Sequence, residues 1–254
     1  MKRLITICAV VTMILGISGV ANAELTVIGT ATNSAGSYNM VWEHDTDGTS
    51  LVWLDMTTLT TWQGAMDWAA GLDSTMTYNF DPGYSVEWTD TQWRLPETED
   101  RVSTLGMVYG TVYGDTNASY GYHIPGEASH LFYVGLGNLG ARDRDGNLVP
   151  PEDRFTNAGP FENLPTSYVG IWLATTTDWF TYPDHGFLTP DDGLAAYYYK
   201  LGNGDLAVQR LDYSTEDRYA FAVRSADITV VPEPMTMSML AMGGLALIRR
   251  RRTA

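Results

Sequence analysis

The chain has 254 residues, with 30 acidic against 15 basic side chains and a formal net charge of −15. That excess of acid argues against nucleic acid and anionic lipid as partners, because phosphate would be repelled. The single cysteine, Cys8, leaves no disulfide framework and no cysteine metal site, so stability must come from burial, for which 8 Trp, 15 Tyr and 7 Phe supply the area.

At the N-terminus Lys2 and Arg3 precede an apolar run from Leu4 to about Val20, and Ala21-Asn22-Ala23 sets small residues where a signal peptidase reads. A basic start, a short apolar core and an Ala-x-Ala exit make residues 1–23 a secretory signal, expected to be cut after Ala23. Leu25–Ala35 then alternates as a strand, and a Ser/Gly turn leads to a second strand over Tyr38–His44. Asp45-Thr46-Asp47-Gly48 is a hairpin turn before a third strand, Leu51–Asp55.

A helix follows. Thr60 or Thr61 can cap it, and Trp62, Ala65, Met66, Ala69 and Leu72 fall on one face. Tyr78–Asp90 reads as a polar loop. Trp93-Arg94-Leu95-Pro96 introduces a second expected helix, with Pro96 in its first turn, Glu97, Glu99 and Asp100 at its positive end, and Val102, Leu105 and Val108 or Tyr109 along its face. A shorter helix around Ala128–Leu136 stops at Gly137, and Gly140–Asn163 reads as loop. Tyr168–Ala174, Ala195–Leu201, Leu206–Leu211 and Tyr219–Val223 read as strands, with Gly202-Asn203-Gly204-Asp205 turning one hairpin and Asp178–Asp192 a polar connection. Strands, two or three helices, then strands again define a single α+β domain over residues 24–229.

The C-terminus mirrors the start. Val231-Pro232-Glu233-Pro234 leads into the apolar stretch Met235–Ile248, followed by Arg249, Arg250, Arg251 and Arg252. As a helix that stretch covers about 21 Å, short of the roughly 30 Å hydrocarbon core, and clustered arginine is retained on the cytoplasmic side. Without both ends, nine basic and 29 acidic residues remain. Such a body, with a net charge near −20, suits divalent cations and neutral glycans better than polyanions.

The Pro-Glu-Pro, short apolar helix and Arg cluster of residues 230–254 together resemble the PEP-CTERM sorting signal. That resemblance implies recognition by an exosortase, cleavage near Pro232-Glu233-Pro234, transient anchoring in the inner membrane, and transfer to the cell surface or to an extracellular exopolysaccharide matrix of the biofilm kind. The body resembles the DUF1566, or Lcl C-terminal, family, whose members look like variants of the C-type-lectin-like fold. The match runs through Leu51-Val52-Trp53-Leu54-Asp55, Thr61-Trp62-Gln63 with Ala65, Trp93-Arg94-Leu95-Pro96, Leu131-Phe132-Tyr133, Leu136-Gly137-Asn138, Gly159-Pro160-Phe161-Glu162-Asn163-Leu164 and Tyr219-Ala220-Phe221-Ala222-Val223-Arg224. Members often show Tyr-Trp-Ser-x-Thr where this chain has Ile171-Trp172-Leu173-Ala174-Thr175. Trp53, Trp62, Trp93 and Trp172 are expected in the core, and Arg94 and Arg224 are each expected to pair with a carboxylate inside the fold.

Asp143, Asp145 and Asn147 put side-chain oxygens at positions one, three and five of a calcium-type loop, although Leu148 replaces its glycine and Arg154 its bidentate glutamate, leaving Glu152 and Asp153 as substitutes. Calcium is therefore the one cofactor the sequence brings forward, and an ordinary Asp-Gly turn is the other reading of the same residues. His44, His123, His130 and His185 are scattered, and the zinc-helix, nucleophile-elbow and phosphate-loop motifs do not occur. The expectation is an exported, non-catalytic, lectin-like module that binds glycan or exopolysaccharide. A purely structural matrix protein and a polysaccharide hydrolase are the alternatives.

Overall fold

The computed structural model describes residues 23–45, 48, 50–98, 107–108, 111–112, 126–140, 148–165, 169–178, 194–211 and 217–231. Among them the chain forms β1 (Glu24–Asn33), β2 (Gly36–His44), β3 (Ser50–Thr60), helix α1 (Trp62–Thr75), β4 (Thr77–Phe80), β5 (Tyr84–Trp88), β6 (Met107–Val108) and β7 (Thr111–Val112). Helix α2 (Glu127–His130) runs on into a π-helical turn over Leu131–Gly135, and a 3-10 turn (Pro151–Asp153), β8 (Ile171–Asp178), β9 (Leu194–Lys200), β10 (Asp205–Arg210) and β11 (Arg218–Val230) complete the set. The result is an α+β architecture on one mostly antiparallel sheet, ordered β4-β1-β2-β3-β11-β8-β9-β10-β7-β6, with β5 on the far half of β11.

Strand β11 organises the sheet. Its first half pairs antiparallel with β3 along one side, and its other side meets β8 in parallel at Tyr219, Arg94 at Val223, and β5 from Ala226 to Val230. Alternation along the strands sorts side chains to two faces. Val41, Trp53 and Val223 form one cross-strand row, and Met40, Leu54 and Ala222 form the next, on the opposite face. The first face is covered by Leu131, Phe132 and Leu136 of the α2 segment and by Phe161 and Leu164; the second by Ala65, Ala69 and Leu72 of α1 together with Trp93 and Leu95.

Helix α1 starts where the sequence places it, at a Thr61 cap whose hydroxyl accepts the Gly64 N–H at 3.3 Å. It ends where Ser74 and Thr75 turn their hydroxyls onto the carbonyls of Gly71 and Leu72, and the chain re-enters the sheet through Thr77. Glycine is required at Gly29, in the β1 bulge, because a Cβ there would come within 2.3 Å of the Asn79 carbonyl on β4.

Two expectations are corrected. Tyr78–Asp90 is not a loop: Tyr78 and Phe80, then Tyr84, Val86 and Trp88, lay alternate half-buried side chains against the second core face, which makes β4 and β5 strands. No helix begins at Pro96. The Arg94 N–H and C=O pair with Val223 at 3.1 and 2.9 Å, the Pro96 carbonyl accepts the Ala174 N–H at 2.8 Å, and Thr98 bridges to Gly126, so Arg94–Thr98 is an extended insert between β11 and β8. Residues 99–106 of that expected helix lie outside the described residues, and Val108 belongs to a strand. The signal peptide before Ala23, the sorting tail from Pro232 onward with its apolar stretch, and the Asp178–Asp192 connection beyond Asp178 also lie outside them. Among the described helices none is long and apolar enough to cross a membrane.

Candidate functional site

Most residues that carry the sequence motifs are tied to one another inside the fold. A bulge in β3 opposite Phe221 and Ala222 turns Asp55 towards the 159–164 loop. There its buried carboxylate accepts the Glu162 N–H at 2.8 Å and the Asn163 N–H at 3.0 Å. Burial raises the Asp55 carboxyl above the usual range, against the pull of these donors. Asn138 does the same for the preceding loop, accepting the amides of Thr156 and Asn157. Trp53, Trp93 and Trp172 are fully buried, whereas Trp62 is half-buried with its indole N–H on the Leu173 carbonyl at 2.9 Å. Leu173, beside Trp172 on β8, is itself core.

Both arginines take carboxylates, as the sequence predicts. Arg94 grips Glu127 with both terminal nitrogens, at 2.6 and 2.7 Å, and reaches Asp90 at 3.2 Å through Nε. Glu127 also accepts the Glu97 N–H at 2.7 Å. Burial acts to lower the Arg94 guanidinium, but Glu127 outweighs it and raises the group further above its ordinary value. Arg224, on the other face, pairs with Asp73 at 2.9 Å, donates to the carbonyls of Asp90 and Thr91, and lies 4.5 Å over the Trp88 ring.

Asp90 sits between the two arginines. Burial acts to raise its carboxyl, yet the Ser225 N–H at 2.8 Å, the Ser225 hydroxyl and Arg94 prevail and hold it below the usual carboxylate range. A depressed carboxyl contributes stability that is complete above its unfolded value and fades as acid takes the pH through the folded one. Asp90→Asn is therefore expected to cost about 1 kcal/mol near neutral pH. Denaturant midpoints of parent and variant should converge as the pH is lowered from about 5 towards 2, and a gap that stays constant with pH would contradict this role for Asp90.

These ties frame an open cavity of about 600 Å³ at the end of the sheet where β3 begins and β11 passes to β5. Ser50 and Leu51 of β3, Ser225 to Asp227 of β11, Thr89, Gly48, and Gly126, Glu127 and His130 at α2 line it. His130 is held from below: its Nδ1 lies 2.8 Å from a Glu43 oxygen and its Nε2 3.5 Å from Asp45. Glu43 is wholly buried, and its second oxygen accepts the Trp53 indole N–H at 2.7 Å. Ser50 accepts the Trp42 indole N–H at 3.1 Å and donates to the Ala226 carbonyl at 2.6 Å, which fixes the opposite rim. The wall is mixed, more apolar than polar, with Leu51 and Ala226 beside a set of fixed polar groups: hydroxyls from serine and threonine, one carboxylate neutralised by Arg94, one exposed at Asp227, and an imidazole whose two nitrogens both face carboxylates.

The sequence pointed elsewhere. Asp143, Asp145 and Asn147 lie outside the described residues, as do Pro232, Glu233, Pro234 and Arg249, Arg250, Arg251 and Arg252. Among the described residues no group of three or more His, Cys, Asp or Glu is arranged to hold a metal ion, and Glu152 and Asp153 are exposed on the 3-10 turn. Glu43 and His130 were missed. The available signal was position: Glu43 follows Val41 by two residues on a strand and so points inward, where an ionised side chain needs a partner.

Fold and cavity together define the class, an α+β protein with an open cavity at one end of a mostly antiparallel sheet. Set beside known protein families, curated proteins and solved structures, the chain matches none of them.

Proposed function

We propose that the protein is an exported, non-catalytic, lectin-like module, sorted by an exosortase through its PEP-CTERM-like tail, that binds glycan or exopolysaccharide at the cell surface or in the surrounding matrix. The observation that carries the binding half is the cavity bounded by Ser50, Thr89, Glu127, His130 and Ser225. Its hydroxyls and carboxylates match the hydroxyl groups of a sugar. Glu127 and His130 are engaged by Arg94 and Glu43, which favours a fixed recognition surface over a base free to abstract protons. A body charge near −20 favours neutral sugars over uronic or sulfated ones. The C-type-lectin-like reading rests on the sequence resemblance of the body, and the mixed α+β fold with a mostly antiparallel sheet is compatible with it.

The sorting half rests on the two ends of the sequence. Both basic flanks stay on the cytoplasmic side, so the body between them crosses the membrane. Intact-mass analysis of the protein from its native host should give a form that begins at Glu24 and lacks Arg249–Arg252. A surface form retaining Met235–Ala254 would replace exosortase sorting with a plain tail anchor.

A further inference from the structure

The body ends without a stalk. Strand β11 stays paired with β5 to its last residue, Val230 opposite Tyr84, and Val231 still donates its N–H to the Gly83 carbonyl at 2.7 Å. Only Pro232, Glu233 and Pro234 then separate that hydrogen bond from Met235, the first residue of the apolar stretch. Four extended Cα steps span roughly 14 Å at most, and two prolines stiffen them. We infer that, while the tail is in the membrane, the β5–β11 end of the body is held against the lipid surface, with the Asp81–Tyr84 turn and the exposed side chains of Val230 and Val231 facing the headgroups. The inference rests on the proposed membrane insertion of the tail. It leaves at most four residue steps between the fold and the bilayer, so an enzyme cutting there meets the body and the bilayer together.

The opposite end of β11 supplies the control. Leu59 is 53% exposed and pairs with Tyr219, eleven residues before Val230, which along a strand is roughly 36 Å away. At Gly83 an added Cβ meets open space. The chain's only cysteine, Cys8, leaves with residues 1–23, so single probes can be placed at Gly83→Cys and Leu59→Cys in the form that begins at Glu24 and keeps its tail to Ala254. The chain, carrying an environment-sensitive fluorophore at one site or the other, is reconstituted into phosphatidylcholine vesicles with brominated acyl chains. Flotation should carry it with the vesicles, and quenching should be at least severalfold stronger at Gly83→Cys than at Leu59→Cys. Ten Gly/Ser residues inserted after Val231 should remove that difference. A chain that does not float overturns both the tail insertion and the contact. A chain that floats with equal quenching at both sites, or whose difference survives the insertion, overturns the tethered contact while leaving tail insertion standing.

Discussion

Trp93→Ala is expected to destabilise the body by about 3–5 kcal/mol, the range of large aromatic truncations in a packed core. The ring is fully buried on the α1 face of the sheet, edge-on to Trp88 at 5.5 Å and tilted against Tyr78 at 6.3 Å. Its indole N–H donates to the Tyr78 hydroxyl at 2.7 Å, which donates in turn to Asp73 at 2.8 Å, and Asp73 is the partner of Arg224. Burial and Asp73 both keep the Tyr78 hydroxyl protonated well above its ordinary range, so Tyr78 remains a donor as the pH rises. Alanine would remove the packing and break the first link. Urea unfolding followed by far-ultraviolet circular dichroism reads the loss. Coincident midpoints with lost glycan binding would instead move Trp93 from the core to a binding surface.

The second large effect is expected at His130. Glu43 is wholly buried among the first-face core, and its two oxygens are served by Trp53 and His130. Removing one partner of a buried pair leaves a charge with inadequate compensation, which typically costs about 3–5 kcal/mol. His130→Ala should fall in that range, while Glu43→Leu combined with His130→Leu should cost clearly less than the two single changes added together. Equilibrium denaturation of the four proteins closes the cycle. A His130→Ala variant within about 0.5 kcal/mol of the parent, the size of an ordinary surface change, would show that the buried carboxylate does not depend on the imidazole.

What the sequence made legible followed periodicity and capping. The α1 face, the Thr61 cap, the Gly202–Asp205 turn with Gly204 at φ 72°, and the burial of Trp53, Trp93 and Trp172 all follow from residue type and spacing. Arg94 and Arg224 were legible as scarce cations beside apolar residues, and each found its carboxylate. Pro96 misled because its residue type suits a helix start, while the pairing of Arg94 with Val223 and of Pro96 with Ala174 is decided by strands more than 70 residues away. The alternation of Tyr84, Val86 and Trp88 was readable as a strand but lay between turn residues that read as loop. The cavity was not readable at all, since Ser50, Thr89, Glu127 and Ser225 are joined only by the topology.

Binding at that cavity is tested most directly by amide chemical-shift mapping of the isotope-labelled, processed protein during titration with neutral oligosaccharides cut from the host exopolysaccharide. Saturable shifts are predicted at Ser50, Gly126, Glu127, His130, Ser225 and Asp227, and they should vanish in an Asp227→Lys variant that unfolds at the parent midpoint. Saturable shifts confined to another face of the molecule, or none at the highest sugar concentration, would contradict the cavity as the binding site.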